Sequence, residues 1–216
     1  HTTALLETIF ASLINSYINN QVGIADGFLS PSLSLRLKAN LIKLYTDQQM
    51  QQAGTGVHNR VHYDELFRSD RIYWLDKAHK NTDEDLFFDL MDRFVGYLNE
   101  TCYTGITGYE FHYALYEEGS FYKKHLDQFR SNDSRKFSMI MYLNSEWQTG
   151  DGGELCIYHA HGAEHIAPTS GKTVFFKSSE LEHEVVVSHK PRMSITGWLK
   201  SGCMILTFHR LHELSR

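Results

Sequence analysis

Residues 109–116 read YEFHYALY and residues 192–199 read RMSITGWL, and both stretches are rich in the aromatic and β-branched residues that favour strands. Further runs of this kind, separated by turn residues, lie at residues 137–143, 153–158, 172–177 and 184–188. Several short strands at this spacing predict a sandwich or a jelly roll. We therefore expect a fold that is mainly β with α, a double-stranded β-helix (jelly roll) with its core over residues 108–200.

The half of the chain that precedes these strands carries helical patterns instead. Apolar residues recur at helical spacing over residues 3–19, and Ser30 and Pro31 supply a cap and a first turn for a second helix. Residues 71–75 predict a short strand, and Thr82 is the predicted cap of a third helix. We expect these N-terminal helices to pack on one face of the jelly roll.

The segment between the second helix and the first predicted strand has a different character. Residues 47–63 are rich in glutamine, contain Gly54 and Gly56, and show little apolar periodicity, which predicts a mobile loop of the kind that contacts ligands. At 216 residues the chain fits one well-packed domain. We expect a single domain in which residues 1–107 give mainly helical support to the jelly-roll core.

Composition excludes several classes of protein. Hydrophobic residues make up 42% of the chain and charged residues 22%, and no apolar stretch is long enough to span a bilayer. The net charge is -5 with scattered lysines and arginines, so we expect no nucleic-acid partner. Cys102, Cys156 and Cys203 form no CxxC pair, which argues against a disulfide framework and a thiolate zinc site. With no secretory pattern at the start, we expect a cytoplasmic protein without a membrane partner.

A motif of metal-binding type lies at His125-Leu126-Asp127, where an imidazole and a carboxylate share one side of an extended segment. A third ligand from a distant strand would complete two histidines and one carboxylate, the facial set that leaves open positions on ferrous iron for dioxygen and a cosubstrate. We predict His183 as that ligand. It precedes the β-rich run at residues 185–187, and a late strand of a jelly roll can lie beside an early one.

Two other groups of histidines compete with this interpretation. A second HxD motif begins at His62, but it lies between the predicted loop and a helical region, so we interpret it as a surface loop. His159, His161 and His165 fall in the segment HAHGAEH, which is either a second metal site or an exposed connection. Its alanines and glycine favour the exposed connection.

Arg192 is the candidate for binding an organic anion, because it opens a strand on which Ser194, Thr196 and Trp198 share its face. A guanidinium group binds a carboxylate through two parallel hydrogen bonds, which suits the far carboxylate of a dicarboxylate cosubstrate such as 2-oxoglutarate. Without the metal motif, an ion pair at a strand edge would be the simpler interpretation.

An ordered set of residues and motifs runs from residue 68 to residue 198. It comprises RSDRIYW at 68–74, Tyr116, Gly119, Tyr122, His125-Leu126-Asp127, Tyr142-Leu143-Asn144, Trp147, GGEL at 152–155, Phe175-Phe176, His183-Glu184-Val185, Arg192 and Trp198. This set resembles the prolyl hydroxylase branch of the 2-oxoglutarate- and Fe(II)-dependent oxygenases, specifically the hypoxia-inducible-factor prolyl hydroxylases and their bacterial relatives. The resemblance implies Fe(II) and 2-oxoglutarate as cofactors, with ascorbate as a reductant.

The resemblance also implies a role for individual residues. The iron ligands fall on His125, Asp127 and His183. The cosubstrate-binding positions are Arg192, Tyr142, Thr196, Tyr116, Ile140 and Leu155, and the positions close to the substrate are Tyr122 and Trp198. An ion pair between Asp70 and Arg135 is implied to tie the end of the predicted loop to the barrel.

The implied reaction is hydroxylation of a prolyl residue in a protein or peptide, which consumes dioxygen and releases succinate and CO2. In bacterial relatives the substrate is elongation factor Tu. The predicted loop and the segment after Trp198 differ from those of the animal enzymes, and both regions shape substrate recognition. Three alternatives stay open: a small-molecule hydroxylase with the same iron chemistry, a cupin-like metal-binding protein without turnover, and a zinc hydrolase.

Overall fold

The computed structural model describes residues 1–54, 64–128 and 133–202. The helices are α1 (Thr3–Asn20), α2 (Pro31–Thr46) and α3 (Thr82–Cys102), and a short 3-10 helix spans Lys77–His79. The strands are β1 (Val22–Asp26), β2 (Gln51–Gln52), β3 (Arg71–Trp74), β4 (Gly108–Tyr116), β5 (Tyr122–His125), β6 (Arg135–Tyr142), β7 (Leu155–His159), β8 (Gly162–Ile166), β9 (Lys172–Lys177), β10 (His183–Val185) and β11 (Arg192–Lys200).

The strands form two sheets. The larger has seven strands in the order β1-β9-β6-β11-β4-β3-β2, and the smaller has four in the order β5-β10-β7-β8. Neighbouring strands pair antiparallel, and consecutive strands of the chain alternate between the sheets from β4 to β7. Two sheets facing each other, with helices outside, are the arrangement of a jelly roll. The predicted class, mainly β with N-terminal helices, is therefore confirmed.

The three helices cover the outer face of the larger sheet. Phe10 of α1 contacts Phe94 of α3, and Phe94 contacts Phe175 of β9, with ring centroids 5.0 and 5.8 Å apart. These rings belong to an apolar layer between helices and sheet, whereas a second layer, which includes Ile140 and Leu155, lies between the two sheets. The second layer reaches the candidate site and forms its walls.

The helix caps show where local sequence rules succeed. Ser30 Oγ accepts a hydrogen bond from the Leu33 amide, and Pro31 occupies the first turn of α2, as predicted. The cap of α3 is Asn81 rather than Thr82, because the Asn81 side chain accepts hydrogen bonds from the amides of Asp83 and Glu84.

Strands β1 and β8 were absent from the sequence-based prediction. β1 carries a glycine at its second position, where a side chain would stand only 2.6 Å from the Leu13 carbonyl oxygen of α1. Gly23 therefore permits close helix-to-strand packing, while it weakens the apparent strand pattern. β8 reads GAEHI and forms a hairpin with β7, so the segment between residues 159 and 165 is ordered by strand pairing rather than by apolar content.

The predicted loop at residues 47–63 is only partly described. Gln51 and Gln52 form strand β2 at the edge of the larger sheet, paired with Ile72 and Arg71. Residues 55–63, which include His62 of the second HxD motif but not its Asp64, lie outside the described residues, as does the end of the chain from residue 203. Within the described ranges, none of the helices has both the length and the apolar character needed to cross a membrane.

Candidate active site

The pairing of β5 with β10 creates a metal-binding geometry. Their antiparallel register sets His125 directly opposite His183, and Asp127 follows β5 by two residues. The Nε2 atoms of His125 and His183 lie 3.4 and 3.5 Å from the same carboxylate oxygen, Asp127 Oδ1. Among the described residues this is the one group of three or more potential metal-ligating side chains whose ligand atoms lie within 4.8 Å of one another. The predicted triad is therefore brought together in space.

Each imidazole is held in the orientation that a metal ligand needs. His125 Nδ1 donates to the Lys123 carbonyl at 2.7 Å, and His183 Nδ1 donates to the Leu181 carbonyl at 3.1 Å. Because the Nδ1 atoms are held by carbonyl acceptors, the Nε2 atoms face the centre of the cluster, where a metal would bind in place of a proton. Two imidazole nitrogens and one carboxylate are the donor set of non-haem ferrous oxygenases, so the residues fit the implied cofactor.

Electrostatics favour the binding of a cation here. Burial alone would raise the pKa of Asp127, but the His183 and His125 imidazoles hold that pKa well below its usual value. Burial and the neighbouring His183 lower the pKa of His125. Burial opposes charge on His183 too, yet the attraction of Asp127 raises the pKa of that imidazole. The carboxylate is thus ionised, and a bound cation would replace the proton that now partners it.

The cluster lies in a pocket between the sheets, lined by residues of both. Its walls are Arg68, Asp70, His112, Ala114, Tyr116, Tyr122, His125, Asp127, Ile140, Leu155, His183, Val185, Arg192, Thr196 and Trp198. All the sequence-predicted cosubstrate and substrate positions are in this set except Tyr142. Tyr142 does not line the pocket, but its hydroxyl contacts Arg192, which does. The register of β11 with β6, which pairs Thr196 with Ile140, explains why distant residues share one wall.

Arg192 is a fully buried cation without a carboxylate partner among the described residues. Its Nε donates to the Gly153 carbonyl at 2.7 Å, and its Nη2 lies 3.5 Å from the Tyr142 hydroxyl. The guanidinium stacks over the rings of Tyr116 and Tyr142, at 4.8 and 5.1 Å from their centroids. Gly153 adopts φ +70, and a side chain there would come within 3.0 Å of Arg192 Cδ. A buried charge of this kind requires an anion, and a ligand carboxylate can provide it.

The predicted ion pair between Asp70 and Arg135 is wrong within the described part of the chain. Asp70 is fully buried and binds Arg68 instead, through two hydrogen bonds of 2.6 and 2.9 Å. Arg135 pairs with Glu110 at 2.9 Å and stacks over Trp198 at 3.5 Å. The strand register accounts for the difference, because Arg135 and Glu110 flank β11 on neighbouring strands, whereas Arg68 stands two residues from Asp70.

The Asp70–Arg68 pair reaches the metal cluster through an aromatic ring. The Arg68 guanidinium lies 4.3 Å from the Tyr122 ring centroid, and Tyr122 stacks on His125 with centroids 3.5 Å apart. Arg68 belongs to the motif at residues 68–74, and the resemblance implies no role for it. Its signal was the short spacing to Asp70, which allows a buried pair.

His112 is a further pocket residue that the sequence analysis missed. It is buried, its Nδ1 donates to the Tyr113 carbonyl at 3.1 Å, and its ring contacts those of Trp74 and Trp198. Burial, helped by the nearby Arg68 cation, lowers the pKa of His112 to about 4, so the ring is neutral at physiological pH. A polar residue inside the apolar run YEFHYALY was the available signal.

The second histidine group does not converge on one point, although the rings of His159 and His161 stack with their centroids 5.0 Å apart. His159 lies at the end of β7 and His165 within β8, and the hairpin register places them on opposite faces of the sheet. His159 Nε2 pairs with Glu164 at 2.9 Å, while His165 Nε2 lies 3.7 Å from Cys156 Sγ. The interpretation as a connection rather than a metal site agrees with this geometry, although the connection is a strand hairpin.

Comparison with known proteins places this geometry in a family. The model of the 2OG-Fe(II) oxygenase superfamily matches residues 111–200. A prolyl 3-hydroxylase from Xenopus laevis is 31% identical over 84 residues, which are 34% of this chain and 16% of that protein. A PKHD-type hydroxylase from Acaryochloris marina is 28% identical over 90 residues, 41% of each protein. The chain thus aligns with less than half the length of these curated relatives.

Solved structures extend the similarity to nearly the whole chain. A prolyl-4-hydroxylase from Pseudomonas putida superposes with a TM-score of 0.80 and 30% identity, over 90% of this chain and 100% of that one. A prolyl hydroxylase from Trichoplax adhaerens, solved with a peptide of hypoxia inducible factor, gives a TM-score of 0.81 at 23% identity over 93% and 94% of the two chains, which supports the fold alone. These matches confirm the double-stranded β-helix and the resemblance, and the chain belongs to the 2OG-Fe(II) oxygenase superfamily.

Proposed function

We propose that this chain is a 2-oxoglutarate- and Fe(II)-dependent dioxygenase that hydroxylates prolyl residues in a polypeptide. One observation carries the proposal: a single pocket contains the cluster of His125, Asp127 and His183 together with the buried, anion-seeking Arg192. A metal-binding protein without turnover has no need of that arginine. The 30% identity to a prolyl-4-hydroxylase over its full length supports the prolyl substrate.

The proposed metal ligands are His125, Asp127 and His183 through Nε2, Oδ1 and Nε2. When bound there, Fe(II) would supply the activation of dioxygen, coupled to the oxidative decarboxylation of 2-oxoglutarate to succinate and CO2. The contribution of the chain is to orient its ligands, to keep Asp127 ionised and to exclude bulk water. Apolar side chains of Ile140 and Leu155 serve the last purpose on two sides of the pocket.

Arg192 and Tyr142 are the proposed anchors of the far carboxylate of 2-oxoglutarate. Arg192 already points two donors at fixed partners, and the stacking of Tyr116 and Tyr142 restricts the plane of its guanidinium. A preorganised fork loses little conformational freedom when it binds a carboxylate. Thr196 is proposed to complete the polar part of this wall, where its hydroxyl lies 3.1 Å from that of Ser194.

Tyr122 and Trp198 are the proposed contacts of the substrate proline. Both line the pocket, and Trp198 lies beside Trp74, a residue that is 44% exposed at the surface. Aromatic faces suit the apolar, conformationally fixed proline ring. We further propose that the loop at residues 47–63 and the segment after Trp198 select the polypeptide around that proline.

Three finer parts of the proposal rest on the family resemblance. They are a cytoplasmic location, elongation factor Tu as the substrate if the chain is bacterial, and ascorbate as the reductant that restores ferrous iron. The choice of elongation factor Tu as the substrate is testable with that protein in purified form. Hydroxylation would be read as the gain of one oxygen atom on a prolyl residue by mass spectrometry.

The deciding experiment measures succinate formation from 2-oxoglutarate by the iron-reconstituted protein under air, with and without a panel of proline-containing peptides. We expect turnover that a subset of peptides stimulates, with the oxygen atom on proline. The matched controls are His125→Ala, which removes a proposed ligand, and His165→Ala, which removes an imidazole on the outer face. Turnover without stimulation by any peptide or by elongation factor Tu would reject the prolyl substrate, and no turnover by metal-loaded protein would reject the oxygenase.

A further inference from the structure

The carboxylate of Asp127 has two oxygens with different surroundings. Oδ1 faces both histidine Nε2 atoms, at 3.4 and 3.5 Å. Oδ2 points away from them and accepts a hydrogen bond of 2.6 Å from the hydroxyl of Ser138 on β6. Ser138 shares the pocket-facing side of β6 with Ile140 and Tyr142, since alternate residues of a strand share a face. The protein therefore distinguishes the two oxygens before any cation binds.

A second serine supports the first. The hydroxyl groups of Ser138 and Ser178 lie 2.9 Å apart, and both side chains are completely or almost completely buried. An ionised carboxylate can only accept, so the proton of Ser138 must point at Asp127. The proton of the bond between the two serines is then the one carried by Ser178. The order of donation is Ser178 to Ser138 to Asp127, with no alternative direction for either bond.

Ser178 also holds the backbone on both sides of this chain of hydrogen bonds. Its amide donates to the Lys136 carbonyl of β6 at 3.1 Å, and its carbonyl accepts from the Gln128 amide, the residue after Asp127, at 3.0 Å. One residue after β9 thus fixes the strand that carries Ser138 and the segment that carries the carboxylate. Asp127 lies beyond the end of β5, where strand pairing no longer determines its position.

We propose that Ser138 and Ser178 are positioning residues that fix the Asp127 carboxylate for one-oxygen binding of the metal through Oδ1. The inference rests on the proposed function, because it concerns the same metal site. Charge-assisted hydrogen bonds to a buried carboxylate are strong and directional, and they hold the side chain in one rotamer. Without them, Asp127 could turn and present both oxygens or neither to the two imidazoles.

The test is the affinity of the purified, metal-free protein for Mn(II) and for Co(II). Electron paramagnetic resonance of free Mn(II) measures the first affinity, and the visible absorption of Co(II) measures the second. Neither measurement requires turnover. Ser138→Ala is expected to weaken both affinities by about 10- to 100-fold, the range found when a residue that supports a metal ligand is removed. Ser138→Thr retains the hydroxyl and should restore most of the affinity, a rescue that a purely structural role for the serine would not produce.

Ser178→Ala should produce a smaller loss, because Ser138 keeps the proton that it gives to Asp127. Ser34→Ala is the matched control, since Ser34 is a buried serine on α2 whose hydroxyl contacts Ser170 rather than a residue of the cluster. If Ser138→Ala binds the metal as tightly as the wild-type protein, the proposal is overturned. The proposed function still stands in that case, because the wild-type protein binds the metal. If Ser138→Ala fails to fold, unchanged affinity in Ser178→Ala overturns the proposal and reduced affinity supports it. Failure of the wild type to bind either ion would instead reject the proposed metal site.

Discussion

The molecule gathers imidazoles and carboxylates in two places, and only one of them converges. In the active-site cluster, His125, Asp127 and His183 direct their ligand atoms to within 4.8 Å of one another. In the β7–β8 hairpin, His159 and His165 stand on opposite faces, and each finds its own partner, Glu164 or Cys156. Both regions lie on the smaller sheet, and histidine content alone does not tell which of them converges.

The difference teaches that parity along a strand decides convergence. His159 and His165 fall on opposite faces in their paired strands, and no choice of side-chain rotamer can bring them to one point. His125 and His183 are direct cross-strand partners, so they must share a face. The triad also has a backbone acceptor for each Nδ1, whereas in the described residues His159 Nδ1 is buried without a partner.

The largest effect is expected from breaking the convergent cluster. Alanine at His125 or His183 removes a proposed metal ligand and leaves Asp127 with uncompensated charge, so we expect metal affinity and 2-oxoglutarate turnover to fall by more than about 100-fold. Alanine at His159 or His165 should leave both unchanged. Mn(II) titration and succinate release measure the two properties. A comparable loss in the hairpin variants would break the comparison, because it would show that the two groups act together.

The next largest effect is expected from the protonation of His112, a residue of the pocket. The pKa of His112 is about 4 in the folded protein because of burial and the Arg68 cation, against about 6.5 for an unfolded histidine. Between these values the unfolded state binds more protons, so stability rises with pH through this window and is fully present above about 6.5. The contribution amounts to about 3 kcal/mol across the window.

Urea unfolding of the protein and of His112→Leu measures this contribution as a difference between the slopes of unfolding free energy against pH. The measurements run from pH 4.5 to pH 7.5, a range chosen to cover most of the window between about 4 and 6.5. The variant should lose stability less steeply as the pH falls. His112→Gln, which is polar but cannot titrate, should lose the slope too. Parallel pH profiles for all three proteins would show that His112 is not kept neutral by the fold.

A smaller effect tests the proposed anion-binding end of the pocket, which has no counterpart among the described residues of the hairpin. Arg192→Lys keeps the charge but loses the fork and the contact with Gly153, so we expect affinity for 2-oxoglutarate to fall about 10- to 100-fold while Mn(II) affinity is retained. Calorimetric titration of 2-oxoglutarate into the Mn(II)-loaded protein measures it. Arg36→Lys, at a half-exposed position on α2, is the control. Undiminished affinity in Arg192→Lys would assign the carboxylate to another residue.

The sequence predicted what depends on local rules. Caps and apolar periodicity located the helices, and the spacing of His125 and Asp127 identified two members of the convergent cluster. It could not predict what depends on which strands become neighbours. Ser138 lies on β6, and Ser178 directly follows β9. Their proposed roles arise only when these two strands meet the end of β5. The wrong partner of Asp70 has the same origin, since the pairing of Arg135 with Glu110 depends on β11 lying between their strands. The serine at the second position of FSMIMYL was nevertheless a readable sign of an inward polar role.

The smallest effect concerns the hairpin itself and follows from its lack of a ligand. The side chain of His159 is only 4% exposed, its Nδ1 has no hydrogen-bond partner among the described residues, and its bond to the half-exposed Glu164 is open to solvent screening. The buried unpaired nitrogen costs about 1–3 kcal/mol, which His159→Phe recovers, and the variant gives up a contact with Glu164 worth about 0–1 kcal/mol. Because the larger ring also strains its surroundings, we expect the free energy of unfolding to change by less than about 1 kcal/mol. Urea unfolding at neutral pH measures the change, and Mn(II) affinity should not move. A loss above about 2 kcal/mol would mean that His159 Nδ1 has a partner in solution, and the contrast between a convergent and a divergent set of histidines would then need to be redrawn.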